Sequence, residues 1–540
     1  MKNLKLTKGL VALSSAALIA AFTVAVPTVA QAVDSCAKTT VASGTKSVAV
    51  EKCTGTDMNK SKYEIMMPAK FNGTLMVYSH GIRYNVNLPA IPVVAPKGSL
   101  IDYSPEVAPS QEVAAALLAE GFALAGAGVQ TQGWNLDEGV EAALQVITLA
   151  RDKYPKVSKV VTWGNSLGGL TSQALAEQYS GAVDAAAPMC IADSAQAEIT
   201  MAGDFLWGMK QFFNPAIKGT NYSAGQAGYV EMLTDLGTVL TTLQALQAAI
   251  AANPTAPAWP ATSTVPAALK AIPVRSAILL LGLISGIPTQ SNTYDASSGP
   301  VGPLETSFGL VISPALAVLE NGAQAAILAV IANYDMEVRY GGVVFDNSKT
   351  DYAKRLGDDA DVYAAGLTGK SGIAGMLGYL SPLNPAAPRV TANAAAVAKM
   401  NSVYQIQGKI EVPTITIAAT ADHITPAGAL QYLKNQYEAS VDNQISKSGK
   451  LLTIWNKPAD EYTDFTSAGS PMTPDVTTNG TGHCNYTTSQ ILAIAKLAAS
   501  AAKTGKLPTT TAVKAAIKNE PNLFVDPNFA PRTLGARRWS

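Results

Sequence analysis

One short segment of the chain combines a serine with closely spaced glycines: residues 160–169 read VVTWGNSLGG. Gly164, Ser166 and Gly168 match the pattern Gly-x-Ser-x-Gly, in which a sharp strand-to-helix turn exposes the serine hydroxyl and the small flanking residues prevent steric clashes. Residues 159–163 are mostly β-branched and apolar, whereas residues 170–179 repeat apolar side chains at helical spacing. This order predicts that Ser166 is a nucleophile. The alternative is a glycine-rich turn that contains a serine by chance.

A second turn of interest has the sequence SHGI at residues 79–82, directly after the short β-type run 73–78. A glycine at the end of a strand lets the backbone turn, so that the next amide, that of Ile82, points into a cleft. Such an amide can stabilise an oxyanion, the negatively charged oxygen of an acyl-transfer intermediate. A simple strand-ending turn is the alternative.

The elements around these turns alternate between strand and helix. Helices are predicted at residues 110–120 and 136–151, and β-type runs at residues 63–67, 73–78, 122–127 and 182–189. Strands alternating with helices at this spacing predict βαβ units and a parallel sheet.

The alternation of predicted strands and helices ends after residue 194. Ala- and Leu-rich helical segments then alternate with Pro-, Gly- and Ser-rich stretches up to about residue 400, which predicts an inserted helical cap. Sheet patterning resumes at residues 412–419, which lead into TADHITP at residues 420–426. Residues 451–455 are predicted to form the last strand, and GTGHCNY follows at residues 480–486.

With these motifs the chain resembles the α/β-hydrolase fold, specifically the secreted serine esterase and lipase group. The resemblance rests on the HG turn, GNSLGG, ADHITP and GHC, and it covers residues 60–194 and 405–505 but not the cap. It implies an α/β fold with a mostly parallel central sheet flanked by helices. It also implies a triad of Ser166, Asp422 and His483, with the backbone amides of Leu167 and Ile82 as oxyanion donors.

The choice of His483 as the base can be checked by elimination, because the chain has only three histidines. His80 belongs to the oxyanion turn. His423 is adjacent in the chain to the expected acid, which makes a productive approach of the carboxylate to its imidazole difficult. For the acid, Asp193 remains the alternative to Asp422, since some lipases carry their carboxylate after the strand that follows the nucleophile.

The N-terminus has the pattern of an export signal. Three lysines precede an apolar run, and Ala30-Gln31-Ala32 is a small-x-small cleavage pattern, so residues 1–32 are predicted to be a signal peptide and the mature chain to begin at Val33. An uncleaved membrane anchor is the alternative. We therefore expect a secreted protein with no stable membrane anchor after cleavage.

An exported chain meets oxidising conditions, so its four cysteines are expected to form disulfides rather than to bind a metal. Three pairings are possible. We favour Cys36 with Cys53, which closes a local hairpin. We favour Cys190 with Cys484 because residue 190 ends the strand beside the strand that leads to Ser166, and residue 484 follows the expected base.

The chain has 39 Lys and Arg residues and 39 Asp and Glu residues, without a basic cluster interleaved with aromatics, so nucleic-acid binding is not expected. We expect a first core segment at 33–194, the cap at 195–400 and a second core segment at 401–540. The leading function is hydrolysis of small or polymeric carboxylic esters, with no metal or organic cofactor. A secreted peptidase and a non-catalytic binding protein of the same fold are the alternatives, and the oligomeric state is open.

Overall fold

The computed structural model describes residues 35–44, 46–91, 94–300, 302, 304–473 and 478–532. The predicted signal peptide and its cleavage site after Ala32 lie outside the described residues. The described chain alternates strands and helices at both ends, and the long segment between them is helical.

A mixed β-sheet of ten strands runs through the described chain. In chain order its strands are β1 (Ser35–Ser43), β2 (Lys46–Thr56), β3 (Lys62–Pro68), β4 (Thr74–Ser79), β5 (Ala123–Gly128), β6 (Lys159–Asn165), β7 (Ala185–Met189), β8 (Thr414–Ala419), β9 (Leu451–Asn456) and β12 (Leu523–Phe524). Their spatial order is β1-β2-β3-β5-β4-β6-β7-β8-β9-β12. The strands from β5 to β9 are parallel, whereas β1, β2, β3 and β12 join the edges antiparallel.

Helices cover both faces of the parallel strands, as they do in α/β folds generally. Strand β4 is buried along its whole length, with Leu75 and Val77 in one hydrophobic core and Met76 and Tyr78 in another. This alternation follows from the two-residue period of a strand. The flanking helices are α1 (Gln111–Ala119), α2 (Leu136–Lys153), α3 (Leu167–Gln178), α13 (Ala427–Asp442), α14 (Thr488–Thr504) and α15 (Thr510–Ala516).

The C-terminal edge of the sheet differs from the sequence-based expectation. Residues 451–455 were predicted to be the last strand, and this was wrong, because β12 pairs antiparallel with β9 beyond it. Two further short strands, β10 (Asp464–Phe465) and β11 (Pro471–Met472), form a separate hairpin. Strands of two residues carry too little alternation of apolar and polar side chains to be recognised in a sequence.

Between β7 and β8 the described chain is helical and has a hydrophobic core of its own. Five residues of the loop that follows β4 pack in or against this core: Tyr84, Val86, Leu88, Ile91 and Val94. The helices are α4 (Ala195–Phe212), α5 (Gly225–Ala252), α6 (Ala267–Lys270), α7 (Val274–Ser285), α8 (Ser313–Tyr340), α9 (Tyr352–Leu356), α10 (Asp359–Val362), α11 (Gly369–Tyr379) and α12 (Ala394–Ser402).

The longest apolar helical stretch in the described chain is Phe308–Tyr340, a π-helical turn continued by α8. By length and composition alone it is sufficient to cross a membrane, with a mean hydropathy of 1.7 in its most apolar window. Of that window, 56% is buried inside the fold, where α8 packs against α4, α5 and α7.

Candidate functional site

Ser166 lies at the sharp junction between β6 and α3. Its backbone φ is +59°, in the left-handed region that residues with a side chain rarely adopt. Strand β6 ends at Asn165 and helix α3 begins at Leu167, so the turn contains only the serine. The structure thus has the strand, turn and helix that the motif predicts, and the strained backbone conformation is of the kind that occurs at functional sites.

The two glycines of the motif are required by the close approach of another turn. A Cβ added at Gly168 would lie 2.0 Å from the carbonyl oxygen of Ser79, and one added at Gly164 would lie 2.5 Å from the same atom. Both distances are far below van der Waals contact. The end of β4 is therefore packed directly against the serine turn, and only glycine leaves room for it.

Because the end of β4 packs on the serine turn, the HG turn at residues 80–81 lies against Ser166. A Cβ added at Gly81 would lie 3.4 Å from Ser166 Cβ and 3.9 Å from Ser166 Oγ. The next residue, Ile82, lines the cavity that also contains Ser166 and Leu167. On the other side, the Leu167 amide is the first in helix α3, where backbone N–H groups have no partner within the helix.

Asp422 and His483 are hydrogen-bonded to each other. His483 Nδ1 lies 3.0 Å from each carboxylate oxygen of Asp422. Asp422 follows strand β8 and is completely buried, whereas the His483 side chain is 26% exposed. The imidazole can therefore present its other nitrogen, Nε2, to a cleft while Asp422 fixes its orientation.

Further donors surround the Asp422 carboxylate. Oδ1 accepts hydrogen bonds from the amides of Ile424 and Thr425 at 2.9 and 3.0 Å, and Oδ2 accepts from the Thr425 hydroxyl and the Cys484 amide, both at 3.1 Å. Burial raises the pKa of Asp422, but His483 and these hydrogen bonds outweigh burial and hold it below its usual value. Asp422 is thus an anion at neutral pH.

The rival acid, Asp193, lies elsewhere in the site. It is buried in the loop after β7, and its backbone amide approaches Glu198 Oε1 at 3.4 Å. The structure brings His483 into contact with Asp422.

The loop that carries His483 is tied to the sheet at several points. The Ala421 amide donates to the Gly480 carbonyl at 3.2 Å, and the Gly482 amide donates back to Ala421 at 3.3 Å. Gly480 has a φ of +90°, and a Cβ there would lie 2.3 Å from the backbone nitrogen of Pro458. Glycine at this position thus lets the loop turn back to Asp422.

A disulfide joins Cys190 to Cys484, with a Cα–Cα distance of 5.4 Å. Both residues have positive φ, +39° and +50°. The second disulfide joins Cys36 to Cys53, which face each other across the β1–β2 hairpin. The structure therefore contains both pairings that the sequence favours, and one of them links the end of β7 to the residue after His483.

The other two histidines are poor bases. Burial lowers the pKa of His423 to about 4. Burial and the nearby Arg83 guanidinium also lower the pKa of His80, whose Nδ1 lies 2.7 Å from the Gly81 carbonyl oxygen. Both imidazoles are therefore neutral at neutral pH, and neither is hydrogen-bonded to a carboxylate as His483 is.

Two cavities meet at this site. The first, about 70 Å³, is almost entirely apolar and contains Ser166; helices α4 and α8 supply most of its wall. The second, about 480 Å³, contains His483 together with polar residues such as Arg83, Asp102 and Gln324. The two cavities share four wall residues: Ile82, Leu328, His423 and Ile424.

Several cavity residues lie between residues 195 and 400, where the sequence predicts none. Ala325, Leu328, Ala332 and Met336 line the apolar cavity from one face of α8. Their spacing of three or four residues was visible in the sequence, but it is also the spacing of an ordinary packed helix. Glu198, the acidic residue in the first turn of α4, was a more specific signal.

One group of three possible metal ligands lies close together in the part of the chain that the structure describes: Asp422, His483 and Cys484. The Cys484 sulfur is bonded to Cys190, so it cannot act as a thiolate ligand. The arrangement therefore does not have the character of a metal centre, and the described contacts are those of a hydrogen-bonded acid and base.

No protein-family model matches the chain, and no curated protein matches it. Solved structures to which the chain is similar include an esterase from Aspergillus oryzae, at 13% identity and a TM-score of 0.36 over 79% of this chain and 78% of that one. Feruloyl esterase B from Aspergillus oryzae has 12% identity and a TM-score of 0.36 over 84% and 80%. Candida antarctica lipase A in its closed state has 14% identity and a TM-score of 0.29 over 75% and 73%. Likenesses this weak do not identify a substrate.

Proposed function

We propose that the protein is a serine hydrolase that cleaves carboxylic esters through an acyl-enzyme on Ser166. One observation carries the proposal: a serine in a strained strand-to-helix turn lies at the same end of the parallel strands as a hydrogen-bonded Asp422–His483 pair. Each part alone has ordinary structural explanations. Together they supply a nucleophile, a base and the group that orients the base.

In the proposed reaction, His483 Nε2 accepts the proton of the Ser166 hydroxyl as Oγ attacks the ester carbonyl carbon. The amides of Leu167 and Ile82 hold the resulting oxyanion, and Asp422 stabilises the positively charged imidazole. When the tetrahedral intermediate collapses, His483 gives its proton to the leaving alcohol. Water then attacks the acyl-enzyme with the same base, which releases the acid and restores Ser166.

The two cavities are consistent with this direction of reaction. The acyl group stays on the serine, so the apolar cavity beside Ser166 would hold it, and the alcohol that His483 protonates would leave through the polar cavity. The apolar cavity beside Ser166 is small, at about 70 Å³. We therefore propose short or slender acyl groups.

We further infer an α/β-hydrolase organisation, with core segments at 33–194 and 401–540 and a cap at 195–400. The supporting observation is that α4 and α8 of the intervening helical segment wall the apolar cavity over Ser166. The two disulfides fit an oxidising compartment, which agrees with secretion of the mature chain.

Turnover of p-nitrophenyl butyrate by the purified mature chain tests the proposal. We expect burst release of nitrophenol followed by steady turnover, and loss of both in Ser166→Ala with an unchanged circular dichroism spectrum. Matched p-nitroanilide and peptide amides separate an esterase from a peptidase. Absence of turnover on all of these substrates, or turnover that survives in Ser166→Ala, contradicts the proposal.

A further inference from the structure

The wall of the apolar cavity contains one carboxyl group among the described residues that line it, that of Glu198. Glu198 lies in the first turn of α4, after the N-cap Ser194. Its Oε1 lies 3.4 Å from the Asp193 amide, which turns the side chain back toward the loop after β7. In the same loop, the Ala192 amide donates to the Ser166 carbonyl at 3.4 Å. The carboxyl group is therefore held next to the serine turn.

The surroundings of Glu198 favour its protonated form. Burial raises the pKa of Glu198 well above its ordinary value, and the carboxylates of Asp193 and Asp422 raise it further, against the opposing effect of the Asp193 amide. His423 is the other titratable group in the described wall, and burial keeps it neutral as well. Helix α8 contributes only apolar residues to this wall. These surroundings favour a carboxylic acid over an anion in the cavity wall.

A protonated carboxyl group is a hydrogen-bond donor, and the cavity around it offers apolar carbon atoms. A substrate that brings a hydrogen-bond acceptor to this donor gains relative to one that does not. A cationic substrate group has no such advantage, because it must lose its hydration to enter an apolar cavity.

We propose that Glu198 is a specificity-determining residue that selects acyl groups carrying an uncharged oxygen, as an ether, keto or hydroxyl group, a few bonds from the ester carbonyl. The inference rests on the proposed ester hydrolysis at Ser166. It adds a substrate class: esters of short oxygen-substituted acids, in preference to simple alkanoic acids of the same size.

Isosteric substrates test this selection directly. p-Nitrophenyl 3-methoxypropanoate differs from the pentanoate by one oxygen in place of a methylene, and the β-alanine ester differs from the butanoate by an ammonium group in place of a methyl. Each kcat/KM is divided by the rate of hydroxide-catalysed hydrolysis of the same ester, which removes intrinsic reactivity. We expect wild type to prefer the methoxy ester over the pentanoate by about five- to tenfold, the worth of one neutral hydrogen bond. We expect no preference for the β-alanine ester.

Variants of Glu198 separate a hydrogen bond from a packing effect. In Glu198→Leu the ratio of methoxy ester to pentanoate should fall to near one, whereas Glu198→Gln, which keeps an N–H donor, should retain most of it. Glu438→Leu, on an exposed part of α13, is the matched control and should leave the ratio at the wild-type value. In wild type the ratio should decline at alkaline pH as Glu198 loses its proton, and in Glu198→Gln it should not.

The outcomes distinguish this inference from the proposed function. Equal ratios in wild type, Glu198→Leu and Glu198→Gln, with normal turnover of all four esters, overturn the role of Glu198 and leave the esterase proposal intact. A preference for the β-alanine ester that Glu198→Gln abolishes also overturns it, because the residue would then act as an anion. No turnover of any ester by wild type overturns both.

Discussion

Replacement of Asp422 by asparagine should remove most of the catalytic rate while leaving the fold in place. The substitution changes one carboxylate oxygen to an NH₂ group in a site where every neighbour is a donor. Oδ1 accepts from the Ile424 and Thr425 amides, Oδ2 accepts from the Cys484 amide, and both oxygens face His483 Nδ1. The new NH₂ group must therefore face at least one donor in either orientation.

The least disruptive arrangement lets the imidazole change tautomer, since its proton can move whereas backbone N–H groups cannot. Nδ1 then accepts from the new amide, and Nε2 carries the proton. In that form His483 cannot take a proton from Ser166, so kcat should fall by roughly three to four orders of magnitude, or about 4–5 kcal/mol of barrier. A lost hydrogen bond inside the site should cost about 1–3 kcal/mol of unfolding free energy, which leaves most of a protein of this size folded.

The assay is steady-state hydrolysis of p-nitrophenyl butyrate, with thermal unfolding by circular dichroism on the same samples. Asp193→Asn is the matched control: it alters a buried carboxylate in the same region, and its kcat should fall much less. A fall of less than about tenfold in Asp422→Asn, or a larger fall in Asp193→Asn, would refute the assignment of the acid.

Four further predictions follow from the same contacts. Because Ser166 can give its proton only to an unprotonated imidazole, kcat/KM should fall at acid pH, and a flat profile from about pH 5 to about pH 9 would contradict this. Because the pKa of Asp422 is lowered in the folded state, the carboxylate stabilises the fold above its unfolded-state pKa of about 3.9, and this stabilisation is lost as the pH falls through the folded-state value. In urea unfolding, the difference in unfolding free energy between wild type and Asp422→Asn should therefore narrow below about pH 4. Cys190→Ser/Cys484→Ser should lose activity at temperatures where the core stays folded, and recovery of these two cysteines as free thiols in non-reducing peptide maps of wild type would rule the bridge out. Gly168→Ala should lower the melting temperature by several degrees or prevent expression, because its Cβ would lie 2.0 Å from a backbone carbonyl oxygen; a variant with wild-type stability would show that the turn is not packed as described.

The local parts of the site could be predicted from the sequence because their chemistry is local. The strand before Ser166, the glycines beside it and the helix after it are all read within about twenty residues, and the structure has each of them. The same is true of the turns after β4 and β8. His483 could be chosen because the chain has only three histidines.

What the sequence could not predict depends on contacts between distant segments. The Thr481 hydroxyl donates to the Asn292 side chain at 2.7 Å, so the histidine loop is held partly by the helical segment almost two hundred residues earlier. No pattern near either residue marks this contact. Glu198 also depends on distant contacts. The sequence shows that residue 198 is acidic, but it does not show that Asp193 and Asp422, the latter more than two hundred residues away, help to raise its pKa. The two-residue strand β12 is too short for any periodicity.

The central claim is that Ser166 is the nucleophile, and covalent trapping tests it most directly. The purified protein is treated with a p-nitrophenyl alkylphosphonate, which mimics the tetrahedral intermediate, and the adduct is located by intact mass and peptide mapping. We predict one phosphonyl group per chain, on Ser166, formed rapidly in wild type, slowly in His483→Ala and not at all in Ser166→Ala. A stoichiometric adduct on another residue, or ester turnover that persists without any adduct, would contradict the claim.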